Sequence, residues 1–178
     1  LVPWQQAAKR AGAELVHVQL DENGEITESA LVEVIKPGVR AVALSLMSNV
    51  TGHTPPITHA VELAHAVGAR VFLDGAQYVS HHPLNVSDLG CDAVAFSGHK
   101  MCGPTGIGGL YTSVELQSEM DPFQYGGDMI NHVGLYESTW ARSPEKFEAG
   151  TPNVAGAIGL GAAAEFLSDI GMDTVAEL

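Results

Sequence analysis

Lys100 is the residue with the clearest chemical use in this sequence, which contains only four lysines. It follows the apolar run at residues 92–96 and precedes a glycine-rich segment at residues 103–109. A lysine held at a strand end and partly removed from water deprotonates readily, and its free amine is then a nucleophile. A lysine at a sheet edge can instead extend into solvent without a chemical role. Position alone leaves both possibilities open.

Asp74 is the second candidate, because it ends the apolar run Arg70–Asp74 and a carboxylate at the end of a buried strand needs a partner. Asp74 and Lys100 could form a structural ion pair, or they could be the two poles of a cofactor site. Pyridoxal phosphate (PLP) needs a lysine that forms a Schiff base and an aspartate that faces its pyridinium nitrogen. A PLP site is therefore one of the two possibilities.

A PLP site also needs donors for a phosphate and for the ring hydroxyl. Ser97, His99 and Thr151 have the right side chains for the phosphate, which hydroxyls and backbone amides can hold without an arginine. Gln77 lies three residues after Asp74 and could donate to the ring hydroxyl. Polar residues at strand ends often only cap helices or form turns, so each of these donors is weak evidence by itself.

The elements that must position these residues alternate between short apolar runs and helical patterns, which predicts an α/β domain with a mainly parallel sheet. The strands are predicted at residues 14–18, 40–46, 70–74, 92–96 and 107–111. The helices are predicted at residues 28–35, 57–67 and 154–170. The run at 40–46 has no polar face, which indicates a strand buried on both sides.

The carboxyl ends of parallel strands form one rim, where ligands of such sheets bind. Ser48 and Asn49 follow the strand at 40–46, and the segments 74–77 and 97–100 follow the next two strands. We therefore expect these three polar clusters to converge.

Composition limits the classes of protein that remain. The chain has 178 residues, enough for one domain, and is 46% hydrophobic and 16% charged. Eight basic and 21 acidic residues give a net charge of −13, which argues against nucleic acid or an anionic membrane as partner. No apolar stretch is long enough for a membrane span and no secretory signal is evident. Two cysteines without metal-ligand spacing predict a reducing compartment and no metal site.

The segment 97–100 (SGHK), followed by GPTGIG at 103–108, resembles the PLP-lysine motif of class V aminotransferase-like enzymes. Within that family it is most similar to the SufS-type (group II) cysteine desulfurases. Thr105 favours this group over the other group of cysteine desulfurases. Further matches run in order along the chain: VPWQ at 2–5, SNVTG at 48–52, DGAQ at 74–77, HHP at 81–83, GGDMI at 126–130 and FEAGTPN at 147–153.

The resemblance implies a fold and a set of cofactor contacts. The fold would be the three-layer large domain of fold type I PLP-dependent transferases, a mainly parallel sheet flanked by helices. Lys100 would bind the cofactor covalently and move protons, and Asp74 would pair with the pyridinium nitrogen. Gln77 would bond the ring hydroxyl, while Ser97 and His99 would bind the phosphate.

The resemblance also implies a reaction and partners. Asn49 would help to hold the substrate carboxylate, and Thr151 would reach the phosphate of the neighbouring subunit in a homodimer. The reaction would convert L-cysteine to L-alanine and an enzyme persulfide, whose sulfur passes to an acceptor protein of iron–sulfur cluster assembly. A cytoplasmic location is expected.

The chain departs from the family pattern in extent. Residues 1–178 would be the PLP-binding large domain without the family's N-terminal portion and C-terminal small domain. The small domain carries the persulfide cysteine and an arginine for the substrate, and neither Cys91 nor Cys102 matches that cysteine. Selenocysteine lyase, kynureninase and epimerase activities stay open, as does a catalytically incomplete, non-enzymatic fragment.

Overall fold

The computed structural model describes residues 1–178 and is organised around a four-stranded sheet. Its strands lie side by side in chain order: β1 (Ala41–Ser45), β2 (Arg70–Asp74), β3 (Ala93–Ser97) and β4 (Gly108–Thr112). The first three are parallel because helices connect them, whereas β4 returns antiparallel to β3 after a short loop. The predicted α/β architecture with a mainly parallel sheet is confirmed, and four of the five predicted strands lie within one residue of their expected bounds.

The helices flank this sheet and a small second sheet lies outside it. The helices are α1 (Val2–Ala11), α2 (Glu28–Val34), α3 (Ile57–Ala66), α4 (Val86–Leu89), α5 (Val114–Glu119), α6 (Val154–Ile170) and α7 (Met172–Glu177). The second sheet is an antiparallel pair, β5 (Ile130–Val133) and β6 (Ser138–Trp140). None of the helices has the length and apolar character needed to cross a membrane.

The hydrophobic core lies on one face of the main sheet. Alternate residues of β1 and β2 point into it, including Val42, Leu44, Val71 and Leu73. α3 packs on β2 and buries the small side chains of its inner face, such as Ala60. Complete burial of each aliphatic side chain contributes about 1.5–3 kcal/mol, so this layer holds the parallel strands together.

The opposite face of β1 is open, and the prediction that residues 40–46 are buried on both sides is wrong for this chain. Ala41, Ala43 and Ser45 are exposed, while the larger Val42 and Leu44 are buried. An apolar run can therefore alternate in size rather than in polarity. Part of this open face is covered by α1, whose Trp4 ring meets Phe72 edge-on at 5.3 Å between ring centroids.

Residues 14–18 form no strand, so that prediction is also wrong. The segment pairs with no other strand, and Leu15, Val16 and Val18 line a cavity on the open face of the sheet. Leu15 and Val18 are half-buried and Val16 is exposed, so an apolar run of this length need not be a strand.

Candidate active site

A cavity of about 790 Å³ runs along the open face of the sheet and reaches the carboxyl ends of its strands. Three of the residues singled out in the sequence, Asp74, Ser97 and Lys100, line it together. Most of the remaining lining is apolar and includes the small side chains of Ala43 and Ala95. The cavity thus joins a bare apolar sheet surface to a polar rim.

Asp74 is held in place by the backbone on both sides of it. The Leu46 amide donates to the Asp74 carbonyl at 2.8 Å, and the Gly75 amide donates to the Ala95 carbonyl at 2.8 Å. A Cβ on Gly75 would lie 3.1 Å from the Val94 side chain, so this close approach favours glycine. The Asp74 carboxylate is exposed, and its Oδ1 accepts a hydrogen bond from the Ala76 amide at 2.9 Å.

Lys100 ends a 3-10 turn, Gly98–Lys100, that directly continues β3. The Gly98 amide donates to the Ile107 carbonyl at 2.9 Å, and the Gly98 carbonyl accepts from the Gly103 amide at 2.9 Å. A Cβ on Gly103 would lie only 2.8 Å from the Gly98 carbonyl oxygen, so the loop after the lysine can close only around glycine.

The Lys100 side chain is exposed, so of the two possibilities that its position left open, the side chain extends towards solvent and is not desolvated in this chain. The sheet face beside it is open, so water reaches the amine. None of the four salt bridges in the structure includes Asp74 or Lys100. The alternative of a structural ion pair between the two residues is therefore not realised, and both charges remain available to a ligand.

Glycines of β4 also shape the cavity. Phe96 of β3 lies opposite Gly109 in the antiparallel register, and its side chain lines the cavity. A Cβ on Gly109 would overlap the Phe96 ring. The absence of a side chain at Gly109 therefore lets the ring lie against β4.

The other predicted site residues lie outside the cavity lining. Gln77 is half-buried in the turn after Ala76, which does line the cavity, and His99 is exposed beside Lys100. Asn49 is exposed in the loop that follows β1, and Thr151 is exposed ahead of α6. The structure therefore brings three of the seven residues to one cavity and leaves four around it.

Asn153 links the Thr151 segment to the loop that follows Lys100, and the sequence analysis missed it. Its Nδ2 donates to the Gly106 carbonyl at 3.2 Å, while its Oδ1 accepts from the Gly156 amide at 3.0 Å and caps α6. An asparagine directly before a predicted helix is a recognisable cap, so part of this signal was present in the sequence.

The residues at the rim fit PLP. A lysine amine matches the aldehyde, a carboxylate without an ion-pair partner matches the pyridinium nitrogen, and a serine hydroxyl can donate to a phosphate. Lys100, Asp74 and Ser97 supply these groups around one cavity, and the short side chains of Ala76 and Ala95 leave room between them.

A second polar cluster, which was not predicted from the sequence, lies at the opposite, amino-terminal ends of the strands. Asp92 is only 4% exposed and accepts hydrogen bonds from Arg70 Nη1 at 2.9 Å, His65 Nε2 at 3.0 Å and the Val71 amide at 2.8 Å. Arg70 also pairs with Glu119. The signal was two opposite charges, each directly before an apolar run on adjacent predicted strands.

The protonation of this second cluster follows from its contacts. Burial by itself would raise the pKa of Asp92, but hydrogen bonds from His65, the Val71 amide and Arg70 outweigh it and hold that pKa below its ordinary value. Hydrogen bonds to Asp92 and then to Glu119 raise the pKa of Arg70. The charged groups of this cluster hydrogen-bond to one another, so we interpret the cluster as structural.

The fold is an α/β domain with a mainly parallel sheet, and the residues at its rim fit a PLP site. The model of the aminotransferase class-V family matches residues 1–178, and the chain belongs to that family. A relative named probable cysteine desulfurase, from Halalkalibacterium halodurans, is 49% identical over 175 residues, which are 98% of this chain and 43% of the relative.

Solved structures agree with this assignment. The crystal structure of the cysteine desulfurase CsdA from Escherichia coli superposes with a TM-score of 0.94 at 45% identity, covering 98% of this chain and 44% of that one. A cystine C–S lyase bound to its product cysteine persulfide superposes with a TM-score of 0.85 at 29% identity, over 99% of this chain and 48% of the lyase. A variant of that lyase carries glycine linked to its PLP cofactor. The chain thus spans less than half the length of these relatives.

Proposed function

We propose that the protein containing this chain is a PLP-dependent cysteine desulfurase, which converts L-cysteine to L-alanine and an enzyme-bound persulfide. The observation that carries the proposal is that Lys100 and Asp74, neither of which has an ion-pair partner, line one cavity at the rim of the sheet. The relative and the E. coli structure described above, both named cysteine desulfurases, support the choice of substrate.

PLP, when bound, withdraws electrons from the Cα of the amino-acid substrate. Lys100 holds the cofactor through Nζ and moves the proton that leaves Cα. Asp74 keeps the ring nitrogen protonated with its carboxylate, and Gln77 donates to the ring hydroxyl. Ser97 and His99 donate to the phosphate.

Two further residues complete the proposed site. Asn49 helps to orient the substrate carboxylate, and Thr151 reaches the phosphate site of a second subunit in a homodimer. The exposure of both side chains is compatible with contacts outside this chain's own cavity. On this proposal residues 1–178 are the large, PLP-binding domain.

The cysteines of this chain bear on where sulfur is received. Cys91 is 3% exposed, and burial raises the pKa of its thiol, so it is a poor nucleophile. Cys102 is exposed but lies in the loop after Lys100, away from the place of the persulfide cysteine in the family pattern. We assign the persulfide to neither residue.

The subtype and the cellular setting are further parts of the proposal. Thr105 in the loop after Lys100 supports the SufS-type group, and sulfur transfer to an acceptor protein of iron–sulfur cluster assembly would follow from it. The two free cysteines and the net charge of −13 support a cytoplasmic location.

The test is the release of alanine from cysteine by the full-length protein with PLP. Lys100→Ala should abolish turnover, and borohydride reduction of the wild-type protein should leave the cofactor on the peptide that contains Lys100. Lys36→Ala, an exposed lysine in the loop after α2, is the matched control and should keep full activity. Normal turnover by Lys100→Ala would overturn the proposal.

A C–S lyase activity is the second candidate, because a cystine C–S lyase is among the structural neighbours. Product analysis separates the two, since a lyase that eliminates at Cβ gives pyruvate and ammonia whereas a desulfurase gives alanine. Selenocysteine, kynurenine and racemisation assays on the same preparation test the other class V activities. Absence of any PLP adduct would favour a non-enzymatic protein.

A further inference from the structure

The turn that follows Asp74 contains a hydrogen-bonded histidine that the proposed mechanism does not use. His81 Nδ1 lies 2.6 Å from the backbone carbonyl oxygen of Gln77, and Ser80 Oγ donates to the same oxygen at 3.1 Å. Ser80 Oγ also lies 3.0 Å from Nδ1, but the nearer Gln77 carbonyl can only accept, so we assign the proton of this contact to Nδ1. Two side chains of the turn therefore converge on the carbonyl of the residue that we propose as the donor to the ring hydroxyl.

The rest of the turn is anchored independently of His81. The Val79 amide donates to the Gly75 carbonyl at 3.1 Å, and the His82 amide donates to the Tyr78 carbonyl at 2.9 Å. The Tyr78 and His82 rings lie 5.0 Å apart, and Tyr78 packs against the hydrophobic core. The path of the chain is thus fixed around Tyr78, while the orientation of the peptide after Gln77 depends on Ser80 and His81.

We propose that His81 is a positioning residue for PLP: by donating from Nδ1 to the Gln77 carbonyl, it fixes the Gln77 backbone and aims the Gln77 amide at the ring hydroxyl of the cofactor. This inference rests on the proposed function for its cofactor but not for its substrate. A side chain that binds a ligand is precise only when its own backbone is locked by a second set of contacts. His81 supplies such a contact from outside the cavity.

The test is a double-mutant cycle on PLP affinity in the full-length protein, measured by equilibrium titration of the visible absorbance and independent of turnover. His81→Ala should raise the PLP dissociation constant about fivefold, as expected for one lost hydrogen bond. In a Gln77→Ala background the same change should raise it less than about twofold, because the contact then has nothing to position. His81→Ala should also shift the absorbance maximum of the bound cofactor in the same direction as Gln77→Ala.

Two conservative variants keep the test decisive if His81→Ala folds poorly. The amide nitrogen of His81→Asn occupies the place of Nδ1 and should restore the affinity to within about twofold, whereas the longer His81→Gln should not. His82→Ala, which alters the neighbouring ring without touching the Gln77 carbonyl, is the matched control and should also stay within about twofold.

The outcomes separate the two proposals. Equal effects of His81→Ala in both backgrounds, or no rescue by His81→Asn, would show that His81 only stabilises the turn and would overturn the inference. If the double-mutant cycle shows the expected coupling and the protein binds PLP but forms no alanine from cysteine, the inference stands and the proposed desulfurase activity is rejected. A wild-type protein that binds no PLP would overturn both.

Discussion

Asp74 and Asp92 lie at opposite ends of neighbouring parallel strands, and their surroundings contrast. Asp92 precedes β3, is buried, and accepts hydrogen bonds from an arginine, a histidine and a backbone amide. Asp74 ends β2, is exposed, and accepts one hydrogen bond from the backbone of its own turn. A saturated carboxylate has no capacity left for a ligand, whereas one that faces a cavity without an ion partner does.

The same contrast holds for the cations. Arg70 divides its guanidinium between Asp92 and Glu119, while Lys100 forms no ion pair. Burying a charge is costly unless it is paired, so the buried Asp92 is stable only together with its hydrogen-bond donors. The exposed charges of the rim need no partner in the protein. The comparison predicts that mutations at one end affect stability and at the other affect chemistry.

The largest expected effect is on stability, from Asp92→Ala. Removing the carboxylate leaves the buried Val71 amide without an acceptor and takes from Arg70 one of its two carboxylate partners, which should cost about 2–3 kcal/mol in the free energy of unfolding. Urea denaturation of the full-length protein measures this, with the exposed Asp121→Ala as control. A loss below about 1 kcal/mol would mean that the cluster is not structural.

Asp74→Asn should give the converse result. It removes the charge that we assign to the ring nitrogen and should lower kcat for alanine formation by about 10²–10³-fold, the range for loss of one preorganised electrostatic contact. The free energy of unfolding should stay within about 0.5 kcal/mol, because Asp74 is exposed and unpaired. Unchanged kcat together with lower stability would break the comparison.

One part of the pH dependence of stability should come from Asp92. Hydrogen bonds hold its folded pKa below the ordinary value, so the unfolded chain takes up this proton first, near pH 3.9. The contribution of Asp92 is therefore complete above the unfolded pKa and is lost as the pH falls through the folded pKa. Urea midpoints between about pH 2 and pH 6 should fall less steeply in Asp92→Asn than in the wild type. Asp121→Asn should leave the slope unchanged.

The smallest expected effect comes from removing helix caps, and it separates a loss of stability from a loss of PLP binding. Asn153→Ala removes the cap of α6 and the bond to Gly106, and should cost about 1 kcal/mol. Thr27 Oγ1 caps α2 by accepting a hydrogen bond from the Ala30 amide. Thr27→Ala removes this cap and should lower the free energy of unfolding by a similar amount. Only Asn153→Ala should also weaken PLP binding, which titration can measure, because only Asn153 contacts the loop after Lys100.

Local pattern was sufficient for the four strands of the main sheet and for three of the seven helices. Residues 70–74 and 154–170 match their predicted bounds, since runs of apolar residues end there at a charged residue or a glycine. Asp74, Ser97 and Lys100 were found because the carboxyl ends of parallel strands share an edge. Their convergence on one cavity follows from topology, which the alternation of strands and helices already indicates.

The features that could not be predicted from the sequence depend on contacts between residues far apart in the chain. The segment 14–18 looks like a strand but pairs with none and lines the cavity on the open sheet face, and the exposure of Lys100 depends on what covers that face. The partners of Asp92 lie 27 and 22 residues away along the chain, at His65 and Arg70. No periodicity records such pairings, so they are found only when the strands are placed side by side.

The shape of the cavity depends on Gly109, the glycine opposite Phe96 in β4. A methyl group added at Gly109 would displace the aromatic ring, and that ring already forms part of the cavity wall. Gly109→Ala would thus force the Phe96 ring to move and change the cavity wall, while leaving Lys100, Asp74 and Ser97 chemically intact. A substitution at a position without a functional group can therefore reshape this cavity, and a comparison of the polar residues alone would not detect the change.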